Sequence, residues 1–500
     1  MNIPRPGPKA STVAIFGVVA IVLLIIAWSR GGEYDEYYSI FLIAGDARPN
    51  WPIMPVTVAT LRHFYHGHGT FLTIAHDLRH GDVHPPLYFW LLSLWRDLVG
   101  MGLVRMRDLS VLLTLVGLAS LARIAARVGV SPLLTIVLTV LCYGFAYTGI
   151  VARNFALADT LSLTGVMLLL AADNRKDRVP ALLGGVALGA ACFSNYLASF
   201  TTIAALAWFA VANRRHAAQA LTPALGAGVF IPAGAWFFLA QAGTRKGQFH
   251  PFFLPRALLD LTRDQAGALL GALPRYMPHP WSIVLEACLG LFAAFLVIVA
   301  IRSGLPLLAP RHRALIVSLI LAPPIGLLAL GAIFDNTPIE VRYVWLGLPY
   351  IGLILAAALR DRPRLAAVLM AVQLSAIIGL AIAPQTMQPA ARTARSAAAN
   401  SGPDTLVVVP FGNDGVGIPG PFIAAAPSRL LVQIIRTADA VHPAAMMRFH
   451  RIIIANITVD SSSRTLIPQV AALFKATSCW RRQAAPSDII VFDNHCRGAT

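Results

Sequence analysis

Charge is what this 500-residue chain has least of. Charged residues make up 13% of it, about half the ~25% of an ordinary soluble protein, and only 23 are acidic. Apolar residues reach 57%, and the mean hydropathy is +0.67. A soluble fold of this size has no way to hide so much apolar surface, so the composition excludes one and demands a bilayer. Cysteine is also scarce, with five in all and no spacing that suggests zinc. Cys142, Cys192 and Cys288 fall in apolar stretches, where they act as small filler. Cys479 and Cys496 share the tail, where an extracytoplasmic disulfide can form. No internal repeat is present, so inverted-repeat symmetry has no support. The formal charge is nevertheless +17, yet no basic run is interleaved with aromatics, which excludes a nucleic-acid face. The basic residues suit cytoplasmic loops and anionic lipid instead.

Residues 11–28 form one apolar helix after a short start carrying Arg5 and Lys9. It is too long for a signal-peptide core and no cleavage site follows, so a retained anchor with a cytoplasmic N-terminus is expected. Further spans are predicted near 108–125, 131–150, 157–172, 180–194, 196–212, 219–240, 281–301, 314–334, 343–359 and 365–383, about eleven in all. Residues 86–100 decide the sidedness. They are apolar but short, and they hold Arg96 and Asp97. Lying flat as an amphipathic helix, they leave Arg123, Arg127, Arg214, Arg215, Arg302, Arg311, Arg313 and Arg360 in the cytoplasm. Crossing, they would turn all of these outward, against the positive-inside rule.

The expected architecture is therefore an α-helical polytopic membrane protein with a small C-terminal α/β domain. Residues 1–383 form the membrane domain, with a long outward loop at 29–107. Residues 384–404 read as a linker, and 405–500 as the extracytoplasmic domain. In that domain TLVVVP (405–410), RIIIANI (451–457) and DIIVFD (488–493) read as buried strands, and 465–476 as a helix.

Candidate chemistry gathers in the outward loops. GGEYDEYYS places Glu33, Asp35 and Glu36 just beyond the first span. A carboxylate there is either a solvated helix start or a general base for an acceptor hydroxyl. GDVHPPLYFW follows, with His84 before two prolines that open a helix, a natural place for phosphate. Arg107 stands at the mouth of the second span, Arg153 and Asp159 in ARNFALAD, and Glu340, Arg342 and Tyr343 in IEVRYVWLGLP. Outward arginines defy the positive-inside bias. Phosphate explains them as a set, while ion pairs with Asp108, Asp159 or Glu340 explain them singly. His63, His66, His68, His76, His80 and His84 lie close together in sequence. The first three have a spacing that could chelate a metal, or they are interfacial histidines with pH sensitivity or no role.

In this order the motifs (an acidic pair after the first span, HPPLYFW, RxxS, ARNFALAD, RYVWLGLP) resemble the polytopic GT-C glycosyltransferases. The likeness is to the protein O-mannosyltransferase and aminoarabinose transferase superfamily, across roughly 31–200 and more weakly around 335–350. It does not reach the tail. The resemblance implies a polyprenyl-phosphate sugar donor and a periplasmic acceptor that is lipid A or another glycan, lipid or protein. It also implies a bacterial inner membrane. Asp35 matches the first-loop aspartate, the base, with Glu36 beside it, and Asp159 a second acidic position. His84, Arg107 and the Arg342–Tyr343 pair match positions near the donor phosphate. Asn195 stands where many relatives carry lysine. No cofactor is required by this chemistry, and a divalent metal is the open alternative. The rival reading is a transporter or flippase, but the spans carry almost no ionisable groups to line a path.

Overall fold

The computed structural model describes residues 8–175, 177–242, 250–382 and 389–496. Arg5, Lys176 and the start of the 384–404 linker lie outside the described residues. The chain divides into two compact units: Met1–Ser29, Ala75–Leu92 and Val104–Gln385 in one, Arg30–Ile74, Ser93–Leu103 and Thr386–Thr500 in the other.

The first unit is helical. Among the described residues six helices are long and apolar enough to cross a bilayer: Leu103–Arg127, Phe155–Asp173, Trp281–Leu307, Pro310–Phe334, Val341–Ala358 and Pro363–Ile382. Three broken helix pairs raise the count to at most nine, and Arg178–Cys192 and Ala198–Ala212 are shorter apolar helices. The eleven hydropathic stretches thus include segments that are short or interrupted, which apolar composition alone does not distinguish from full spans. Leu87–Val99 forms a helix of 13 residues. A crossing needs about 20. It is too short to span.

Small residues let these helices meet closely. A Cβ added to Gly185 would lie 1.9 Å from the Pro223 carbonyl oxygen, and one on Gly189 would lie 2.7 Å from that of Ala227. Helix Arg178–Cys192 can therefore pack backbone to backbone on Ala217–Gly228 only with glycine at both positions. At the far ends of the helices, buried Asp173 pairs with Arg311 and accepts from Asn213 Nδ2 at 3.1 Å. A buried carboxylate needs such partners.

The second unit is built on one six-stranded sheet: β1 (Val56–Thr57), β2 (Thr405–Pro410), β3 (Leu431–Ile435), β4 (Arg451–Ala455), β5 (Trp480–Gln483) and β6 (Ile489–Asn494), in the order β1-β3-β2-β4-β6-β5. All six residues of β2 are buried. That follows from its central place between parallel neighbours β3 and β4, which require cover on both faces. Strands β2, β4 and β6 match the three predicted strands. Strands β3 and β5 carry no clear strand pattern in sequence, one being interrupted by Gln433 and the other polar (WRRQ). The predicted helix is present and starts earlier, at Ser461–Lys475, because Asp460 caps it by accepting the Ser463 N–H at 2.7 Å. Within the stretch read as a linker, Ala390–Ala399 is a helix whose Ala390, Thr393, Ala394 and Ala397 are buried. The edge strand β1 comes from the first outward loop, pairing Val56 with Val432.

Cys479 and Cys496 are bridged, with Cα atoms 5.1 Å apart. The bond closes the β5–β6 hairpin over 17 positions. Replacing both cysteines with serine is expected to cost about 3 kcal/mol, read as a lower thermal midpoint of the tail's unfolding transition. Arg451 grips Asp493 with two bonds, 2.7 and 3.0 Å, across β4 and β6. Those bonds hold the Asp493 carboxyl below its usual range, against the opposing effect of burial. A depressed carboxyl stabilises above its unfolded value of about 3.9 and ceases to do so as pH falls through its folded value. Melts across pH should therefore show the advantage of wild type over Asp493→Asn shrinking below about pH 4.

Candidate active site

In the helical unit the polar groups converge on residues 82–84, the turn between helices Phe71–Gly81 and Leu87–Val99. The paired prolines at 85 and 86 begin the second helix without losing a needed N–H, which fixes the path of the preceding turn. Asp82 is buried there. Its Oδ1 accepts the Val83 N–H at 2.8 Å and lies 3.2 Å from His84 Nδ1, and its Oδ2 is 3.9 Å from Arg153 Nη2. Burial alone would raise the Asp82 carboxyl, but His84, Arg153 and the Val83 N–H outweigh it and hold it well below the usual carboxylate range.

Arg153, 3% exposed, sits with its guanidinium carbon 5.6 Å from the centre of the Phe89 ring. Gln241, at the end of helix Ile231–Gln241, ties the same turn down. Its Nε2 donates to the carbonyls of Leu78 (2.8 Å) and His84 (3.1 Å), while its Oε1 accepts from the Tyr196 hydroxyl at 2.9 Å. Nearby, Asn195 donates to Asn154 Oδ1 at 3.3 Å, and Asn154 donates to the Ser194 carbonyl at 2.7 Å. The structure thus brings His84 and Arg153 together through a residue that sequence reading passed over. Asp82 was legible in GDVHPP, two residues from His84. Gln241 and Tyr196 carried no signal.

The other expected site residues of this unit make further contacts. Arg107 is fully buried, and its Nη1 donates to the Ala27 carbonyl at 2.6 Å, at the end of the first helix. Beside it Asp108 accepts from Trp28 Nε1 at 2.8 Å. Arg342 pairs with Glu340 at 2.6 Å and lies over the neighbouring Tyr343 ring. Asp159 is buried one turn into helix Phe155–Arg175, whose first residue, Phe155, meets the Trp345 ring edge-on at 5.0 Å.

Asp35 and Glu36 belong to the second unit, at the start of helix Tyr34–Ala44. Glu36 is fully buried and accepts the Glu33 backbone N–H at 3.0 Å. Glu33 itself pairs with Arg30. Both glutamates therefore serve the helix start, and Asp35 is the carboxylate of the cluster that keeps partial exposure. Among the described residues no three His, Cys, Asp or Glu side chains converge as metal ligands. The histidines are dispersed: His63 Nδ1 lies 2.6 Å from the Thr60 carbonyl, His68 faces Arg96 and Asp97, and His76 packs on His80.

Residues 83–236 match the model of the dolichyl-phosphate-mannose-protein mannosyltransferase family, which is about a third of the chain. No curated protein matches by sequence. The whole chain superposes on the crystal structure of apo ArnT from Cupriavidus metallidurans at 12% identity and a TM-score of 0.55, covering 97% of this chain and 98% of that one. The chain has the GT-C fold. ArnT bound to undecaprenyl phosphate matches with a TM-score of 0.50 at 13% identity, covering 96% and 98%. This GT-C protein is thus a multi-pass membrane protein of the glycosyltransferase fold, and the family match begins at the His84 turn.

The Gln241 latch is testable. Gln241→Leu removes the amide donor from both carbonyls; that of Leu78 still accepts the Asp82 N–H at 3.1 Å, so the expected cost is about 1–3 kcal/mol in all. A lower thermal midpoint in detergent, larger than that of Tyr196→Phe, is the expected result.

Proposed function

We propose that the protein is an inverting glycosyltransferase that takes a sugar from a polyprenyl-phosphate donor in the bilayer and passes it to an acceptor hydroxyl at the extracytoplasmic face. The observation that carries this reading is the meeting of buried Arg153 and half-buried His84 beside one carboxylate, at the turn where the family match begins. A fixed guanidinium and imidazole suit the anionic phosphate of the donor, since charge develops there as the sugar leaves. A solved relative of the same fold carries undecaprenyl phosphate.

In this scheme Asp35 removes the acceptor proton. The acceptor oxygen bonds to the anomeric carbon, the bond from that carbon to the phosphate oxygen breaks, and the electron pair leaves with the lipid phosphate. Arg153 and His84 offset its charge, with Arg107, Arg342 and Tyr343 as further donor contacts. Glu36 holds the helix start that presents Asp35, and Asp159 orients the sugar or acceptor. Because the leaving group is already good, the reaction requires no metal. The resemblance supports a bacterial inner membrane, and the arginine distribution supports a cytoplasmic N-terminus with a periplasmic tail. The acceptor class is a periplasmic glycan, lipid or protein.

Purified protein in lipid, offered a panel of labelled polyprenyl-phosphate hexoses and pentoses, should release polyprenyl phosphate from one donor. Asp35→Asn should slow that release by about 10²- to 10⁴-fold, the range for loss of a general base. Release that survives Asp35→Asn would remove Asp35 from the mechanism. No release from any donor would favour transport of a lipid-linked substrate.

A further inference from the structure

Asp82 contacts both groups proposed to meet the donor phosphate, yet it is not placed to meet that phosphate itself. It is buried, and its oxygens are turned to Val83, His84 and Arg153. An ionised carboxylate can only accept hydrogen bonds, so the proton on this side of the imidazole must sit on His84 Nδ1. A carboxylate bonded in that way fixes both the tautomer and the tilt of the ring, and leaves Nε2 as the nitrogen that exchanges its proton. The backbone of the same histidine is held independently by Gln241. The other oxygen of Asp82 faces Arg153, which Phe89 supports from below. One carboxylate therefore meets two side chains from segments some seventy residues apart, His84 at hydrogen-bond distance and Arg153 as an ion pair at 3.9 Å.

We propose that Asp82 is a positioning residue that fixes the Nδ1–H tautomer of His84 and the place of the Arg153 guanidinium. It does so without touching substrate. The kinetic consequence rests on the glycosyl-transfer reading above, whereas the tautomer does not.

The test uses full-length protein in lipid nanodiscs, labelled with ¹⁵N-histidine, the His84 signal being identified by its loss in His84→Gln. Wild type should show His84 with its proton on Nδ1, and Asp82→Asn should shift it to the other tautomer or a mixture. An Nε2–H tautomer in wild type, or an unchanged signal in Asp82→Asn, overturns the proposal whatever the enzyme does. Should Asp82→Asn fail to elute as a single species, Asp82→Glu supplies the comparison, and retention of the Nδ1–H form there is the expected outcome.

With the active donor, Asp82→Asn should lower kcat/KM for donor by about 10- to 100-fold while leaving the acceptor KM in place. Added to His84→Gln, it should cost less than its full single effect, because the two act through one contact. Full multiplication of the two effects would show that Asp82 acts apart from His84 and would overturn the positioning role. Absence of turnover from every donor with the tautomer as expected would sink the transfer reading and leave the Asp82–His84 geometry standing.

Discussion

Backbone polar groups among these apolar helices must find their partners inside the protein, because hydrocarbon offers none. That constraint explains most of what the helical unit does with its few charges. Arg107 donates to the carbonyl at the end of the first helix. Gln241 serves two carbonyls at the 78–84 turn, and Gln373 donates to the Leu269 carbonyl at 3.0 Å. Asp173 is matched by Arg311 and Asn213. A residue that looks like a ligand group in sequence can therefore also carry a backbone contact in the fold.

The same constraint gives the Asp82 cluster its meaning. A buried carboxylate with an imidazole and a guanidinium each within 4 Å of it forms a pre-set polar centre before a helix start. Such a centre is costly to bury unless its members satisfy one another. Preorganised charge of this kind is how a site stabilises a departing phosphate without reorganising during the reaction. In the second unit, the acidic cluster after the first span shows the opposite balance. Glu33 and Glu36 are taken up by Arg30 and by the helix start, and Asp35 keeps partial exposure.

Composition and periodicity by themselves determined that this chain is a polytopic membrane protein with an α/β tail. Hydrophobicity is additive along the chain, and period-2 runs such as TLVVVP need no partner to be read. Motif order determined the fold class, since HPPLYFW and ARNFALAD keep their places in the chain. Contacts between distant segments were decided only in three dimensions. Val56–Thr57 is too short to show a strand pattern, yet it closes the edge of the tail's sheet. The Ala390–Ala399 helix hides in a small-residue stretch that reads as a linker, because its buried face is built from alanines that carry little hydropathy. Arg107 and Arg153 have the same chemistry in sequence. Only the tertiary structure gives one to a carbonyl and the other to a carboxylate beside His84, because which partner a buried charge meets depends on where the chain returns.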